Sequence, residues 1–313
     1  MRVPALVVLA VGLAGGNAPV QAQSLREQCG TDLPPDAAAR CHSLADAAVT
    51  LPDRVAIAAA GGNPVAGTAS TLGMRLPGSP RWSIALRSTI ARASLPAIGD
   101  ERAFSPTLWS VNADASVGLF NGINLLPTIG GFASIDVLAS LGVLSVPDDD
   151  GFESSSPLTW ALGTRVGILR ESFTAPGVSV SAMYRSLPDV SQGPMQEAVF
   201  RGTDQSVLSV RGTVGKRVLG IGFTGGIGYD RTRSDVQAAF SDPDVGPGEP
   251  PDALREEVTS GRTSFFGNVS YTLLILNMAA ELGWQADGDR PAGAHRDTGK
   301  GGPFGGIAVR LAI

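Results

Sequence analysis

From about residue 81 to its last residue the chain alternates apolar and small polar residues with a period of two. Trp109, Val111, Ala113, Ala115, Val117 and Leu119 are interleaved with Ser110, Asn112, Asp114, Ser116 and Gly118. A strand of this length exceeds the ~5–6 residues usual in soluble sheets. It matches the ~9–11 residues that a tilted strand needs to cross a bilayer. Strands survive in lipid only when every backbone amide is paired, so they must close into a barrel. The alternation therefore predicts an all-β, transmembrane antiparallel barrel with its apolar side toward lipid and its polar side inward.

Strands are expected near 54–60, 67–76, 81–93, 107–120, 131–145, 157–171, 177–187, 205–216, 218–230, 262–273, 274–286 and 303–313. Long polar loops fall at 94–106, 146–156, 188–204, 231–261 and 287–302. Short links at 77–80, 172–176, 216–218 and 273–275, with a longer one at 121–130, alternate with them. Outer-membrane barrels carry long loops outside and short turns on the periplasmic side. Eleven strands follow from residue 67; an even barrel with both ends in the periplasm needs one before it. Arg54–Ala60 is the candidate, giving about twelve strands in a barrel over 53–313. The turn at 273–275 is Leu-Leu-Ile, without turn chemistry.

Charged residues make up 17% of the 313, below the quarter usual in soluble domains. No run of 18 apolar residues offers a spanning helix. A net charge of −5 with no basic stripe excludes nucleic acid as a natural partner. Residues 1–22 read as a secretory signal: Arg2, an apolar run from Val3 to Ala14, and a cleavage site at Val20-Gln21-Ala22. Residues 23–52 form a leader whose helix starts near Pro34-Pro35-Asp36, runs to about Ala48 and is ended by Pro52. In an exported chain Cys29 and Cys41 are expected to form a disulfide. His42 beside Cys41 leaves a metal site short of ligands.

On the expected topology Trp109, Trp160, Tyr184, Tyr229 and Trp284 sit at the outer strand ends, facing lipid. Trp82 and Tyr271 sit at the periplasmic end. Amphipathic rings gather at both membrane interfaces. By this pattern residues 54–313 resemble the bacterial outer-membrane β-barrels. Within them Gly61-Gly62-Asn63-Pro64-Val65-Ala66-Gly67 is similar to the Asn-Pro-Ala-Gly element of the long-chain fatty-acid transporter family, interrupted here by Val65. A plain Gly/Pro turn accounts for the element without any other explanation.

Eight charges face inward: Arg87, Asp114, Asp136, Arg165, Arg185, Arg211, Glu281 and Arg310. Pairing across the inferred turns sets Arg87 near Asp114, Asp114 near Asp136, Asp136 near Arg165, and Glu281 near Arg310. They form either a salt-bridge lattice that stiffens the wall or a charged constriction that selects ions. Gly220, Gly222, Gly226 and Gly228 make an inward face without side chains, against which the leader is expected to pack as a plug. No Gly-x-Ser-x-Gly element, phosphate loop or dinucleotide motif occurs. His295 with Asp297 is the one pair a hydrolase could use. Asp148-Asp149-Asp150-Gly151-Phe152-Glu153 offers carboxylates to Ca²⁺ but lacks the spacing of a calcium loop. No resident cofactor or metal is expected. The reading is an outer-membrane channel for small solutes, apolar ones included, in a bacterium with a two-membrane envelope, and not an enzyme. The alternative is a structural or surface-interaction barrel with a filled lumen.

Overall fold

The computed structural model describes residues 26, 27, 29, 35–76, 79–93, 105–124, 130–145, 152–154, 157–192, 198–240, 252–288 and 292–312. The expected signal at 1–22 and the acidic stretch at 148–151 lie outside them, as do the side chains of 152–154.

Ten antiparallel strands close into a barrel. They are β1 (Trp82–Arg92), β2 (Thr107–Phe120), β3 (Ser134–Ser145), β4 (Leu158–Leu169), β5 (Gly177–Ser186), β6 (Ala198–Val218), β7 (Ile221–Phe240), β8 (Asp252–Leu273), β9 (Leu276–Gln285) and β10 (Gly302–Ala312). Each pairs with its sequence neighbour, and β10 returns to β1 with Ala312 opposite Ser83 and Phe304 opposite Ala91. Closure leaves no open edge in the ring, as lipid requires.

Burial follows the pleat. In β1 the residues Ser83, Ala85, Arg87, Thr89 and Ala91 are buried, while Trp82, Ile84, Leu86 and Ile90 are exposed. The same inversion, apolar outside and polar inside, repeats around the ring. Leu141, Leu162, Val180, Leu208, Phe223, Val269, Leu282 and Ile307 form an exposed apolar belt, backed by buried Ser140, Ser181, Ser209, Thr224, Asn268 and Ser270. In water such a belt would be a severe liability; against acyl chains it is the matched surface.

Two expected strands are not in the ring. Residues 54–60 are the end of an α-helix, α1 (Pro35–Ala60), which passes through Pro52 instead of stopping there. A mid-helix proline costs about 3 kcal/mol. Burial of Leu44, Leu51, Val55 and Ile57, all fully inaccessible, offsets it. Residues 67–76 are mostly irregular, with only a short hairpin pairing Met74–Leu76 with Ser79–Pro80.

Strands β6 to β8 are longer than expected. Residues 231–240 and 252–261 continue the β7–β8 ladder, and 198–203 pair with β7 beyond the point where β5 stops. Alternation persists there, with Thr232, Ser234 and Val236 buried and Arg231, Arg233 and Asp235 exposed. The outward face changes from apolar to charged where the strands leave lipid, so a search for apolar alternation takes this stretch for loop.

Candidate functional site

The lumen is occupied by the chain itself. Asp46 of α1 accepts the backbone N–H of His295 at 2.9 Å, and the Gly299 N–H donates to Thr50 Oγ1 at 3.1 Å, in the long link between β9 and β10. Beyond Ala60 a strap (61–73) runs on to the short-turn end, where Met74 N–H donates to Asn121 Oδ1 and the chain enters β1. Residues 35–73 therefore traverse the barrel from its long-loop mouth to its short-turn mouth.

Three sets of wall residues hold this segment. At the long-loop mouth Arg262 Nε donates to Asp53 Oδ2 at 2.6 Å, and Ser260 Oγ donates to the other carboxylate oxygen. Arg54 Nη1 donates to Gln285 Oε1 at 2.7 Å and Nε to the Arg92 carbonyl at 2.8 Å. In mid-barrel the wall caps the helix. The last carbonyls of a helix lack intrahelical donors. Here Ser110 donates to Ala58 O at 2.7 Å, Asn112 to Ala59 O at 3.3 Å and Arg87 to Ala60 O at 2.8 Å. Arg211 serves the Gly61 and Gly62 carbonyls at 3.3 and 3.1 Å. Two cations thus meet the negative end of the helix dipole. Gly61, at φ +64°, turns the chain out of the helix. The Gly62 and Asn63 N–H groups then donate to the two Glu281 oxygens, 2.8 Å each. Lower down, Asp136 accepts from Leu72 N–H at 2.9 Å and from Arg165 Nη2 at 2.8 Å. Gly73 and Gly118 approach so closely that a Cβ on Gly118 would lie 2.1 Å from the Gly73 carbonyl.

Of the inward charges, Arg87 pairs with Asp114 at 3.0 Å and Arg165 with Asp136 at 2.8 Å. Asp114 and Asp136 do not meet: Asp114 lies opposite Ser140 and Asp136 opposite Gly118. The β2–β3 hairpin continues through the Ile123–Phe132 bridge, and Asp114 faces a residue four positions beyond Asp136. Glu281 and Arg310 are likewise apart, opposite Gly306 and Asn277, and Glu281 is taken by the strap. Arg185 reaches Asn112 Oδ1 and Ser140 Oγ at 3.5 Å. Asp230, the last residue of the expected strand 218–230, also faces inward and pairs with Arg211 at 2.8 Å, and Asp53 pairs with Arg262; none of Asp230, Asp53 and Arg262 is among the eight expected charges.

The glycine face needs correction. Gly220 is in the β6–β7 turn at φ +86°. Gly226 is covered by the Phe266 ring and Gly228 by the Arg211 side chain; of the four only Gly222 lies near the strap, at Gly67 O. These glycines let wall side chains lie flat, and Phe266 then reaches Gly62. The seven girdle aromatics are all outward, from Tyr229 at 37% exposure to Trp284 at 54%. Trp160 and Tyr184 touch, with ring centroids 5.8 Å apart.

At the long-loop mouth Cys29 and Cys41 form a disulfide, with Cα atoms 5.5 Å apart. Arg26 pairs with Asp46 nearby. His295 Nδ1 lies 3.5 Å from Asp297 Oδ2. The Lys300 hydrogen bond holds the Asp297 carboxyl below its ordinary value. His295 Nδ1 accepts the Asp297 N–H at 3.3 Å, so the pair closes a loop that clasps α1.

No family model matches the chain, and no curated protein matches it. Among solved structures it is similar to the translocator domain of the autotransporter NalP from Neisseria meningitidis, at 12% identity and a TM-score of 0.41, covering 75% of this chain and 89% of that one. It is also similar to an outer-membrane channel from Pseudomonas putida F1, at 9% identity and a TM-score of 0.36, covering 77% and 97%. A third is the transport unit of the autotransporter AIDA-I from Escherichia coli, at 9% and 0.32, covering 84% and 96%. The closed ring and its lipid-matched belt make this protein a β-barrel of the bacterial outer membrane.

Proposed function

We propose that the protein is an outer-membrane channel whose path is shut by its own amino-terminal segment and opens when α1 and the strap move. The observation that carries this reading is the chemistry of the wall behind the segment. Ser83, Thr89, Ser110, Asn112, Ser140, Ser181, Ser209 and Thr213 are buried on the inward side of the wall, around the segment. With it withdrawn they would line a wetted, polar conduit, as porin interiors do. The charges that grip the segment would rehydrate, which lowers the cost of release relative to an apolar core. A polar, arginine-bearing wall favours polar solutes over apolar ones. The Gly61–Gly67 element acts as a turn and lends no weight to a fatty-acid cargo.

A filled, structural barrel is the second reading, and one observation favours it. Voids beside the strap, one lined by Pro64, Val65, Ala66 and Arg310, hold about 10 Å³, room for about one water. Planar-bilayer recordings separate the two. The channel reading expects rare openings from the intact protein and a steady, larger conductance when residues 35–60 are deleted, because the ring's ladders do not involve them. A deletion protein that inserts and folds but conducts no more than the intact one refutes the channel.

A further inference from the structure

Below the strap, at the short-turn mouth, the barrel opens into a vestibule of about 710 Å³. That volume is in the range of small-molecule sites. Thr68, Ser70, Thr71 and Leu72 of the strap close its inner end. Among the described residues its walls carry four arginines, Arg81, Arg170, Arg217 and Arg310, and one carboxylate, Glu171. Glu171 accepts the Arg217 backbone N–H, and its one negative charge leaves a net excess of three positive charges.

Arg310 is the telling member. It is 5% exposed, and its Nε is buried without an acceptor. Every other buried arginine among the described residues has a hydrogen-bond or ion-pair partner: Asp114, Asp136, Asp230 and Asp53 hold Arg87, Arg165, Arg211 and Arg262. Arg54 is held by Gln285, and Arg185 reaches Asn112 and Ser140. Arg310 has neither, and the charges acting on it are those of Arg165 and Arg217, both cationic. A buried guanidinium is retained only when something compensates it. Arg170 is bound to Asn121 through Nη2 alone, and its Nε is also without an acceptor. Arg217 is exposed at the rim.

From this geometry we infer that the short-turn vestibule is a binding site for an oxyanion, a phosphate or carboxylate group, held by Arg310 at its inner wall with Arg170 and Arg217 beside it. Forked guanidinium donors match such oxygens in pairs. Thr68, Ser70 and Ser172 supply hydroxyls for the remaining lone pairs. The same chemistry serves a free anionic solute and the phosphate of a phospholipid headgroup. The arginines belong to the barrel wall and its short turns, while the strap supplies the inner end, so the site described is that of the closed lumen.

The test uses the full-length protein in uncharged detergent at low ionic strength. In one arm inorganic phosphate is titrated by calorimetry, with chloride at equal ionic strength as control. In the other, micelles doped with phosphatidylglycerol or with phosphatidylcholine are compared for lipid retained after dilution. Saturable phosphate binding, weakened about tenfold or more by Arg310→Gln and less by Arg217→Gln, supports a free anion as ligand. Selective retention of phosphatidylglycerol, lost in Arg310→Gln, supports a headgroup. Should Arg310→Gln fail to fold, the Arg217→Gln effect decides. No saturable binding in either arm, or binding that neither variant weakens, overturns the site.

Discussion

Glu281 joins wall to occupant by the smallest means available, two backbone N–H donors on one carboxylate. Charge-assisted bonds of this kind contribute roughly 1.5–3 kcal/mol each. Glu281→Gln keeps one acceptor and turns an amide N–H₂ toward a second donor. It is expected to weaken docking of the strap by about 2 kcal/mol. Hydrogen exchange at residues 58–66 should quicken while the strand amides stay protected; unchanged exchange there would show that Glu281 does not hold the strap. Its inward position was legible from the alternation, as were the Arg87–Asp114 and Asp136–Arg165 pairs. Its partner was not. Neighbouring strands set which charges share a height, but a third body in the lumen decides which of them is satisfied from within. No alternation pattern encodes that body.

At the scale of elements, α1 is the part least legible beforehand. Pro52 reads as a stop, and Arg54–Ala60 has no polar interruption to distinguish a buried helix from a strand. What extends the helix is the wall that caps it, a tertiary effect. Pro52 is then a built-in weakness, since it has no N–H to donate and leaves a carbonyl in the preceding turn without its usual partner. Pro52→Ala is expected to stabilise α1 by up to about 3 kcal/mol. Slower proteolysis and slower exchange over residues 44–60, with fewer openings in bilayer recordings, would show it. Exchange as fast as in the unaltered protein would mean that the proline costs the helix nothing. The ten wall strands were legible in order and parity, because lipid imposes apolar alternation on each. The extensions of β6 to β8 were not, because water imposes no such rule.

For the whole molecule, the expectation that both ends share one face added Arg54–Ala60 as a strand, to a list that already counted 67–76. The parity is instead completed by the lumenal passage: Arg26 is at the long-loop mouth, and Ala312, hydrogen-bonded to Ile275 O, is at the other. That arrangement has a consequence for the order of assembly. Residues 35–73 are continuous with β1, yet they lie inside a ring that β1 itself closes by pairing with β10. A ring already shut would have to be threaded by the chain's leading end; a ring still open can fold around the helix and seal last. The second route needs no passage through a finished pore, so the β1–β10 seam is expected to form after α1 is in place. Stapling Ile84 to Leu311, which face each other across that seam, tests this in a Cys29→Ser/Cys41→Ser background with cysteines at both positions. Joined before refolding, the protein should form a barrel whose residues 44–60 remain open to protease; joined afterwards, the same residues should be protected. Equal protection by both routes would mean that the helix enters a closed ring. If the seam does seal last, this barrel is wrapped about its contents, and the ladder from Ser83 to Ala91 is the clasp that decides whether anything was enclosed.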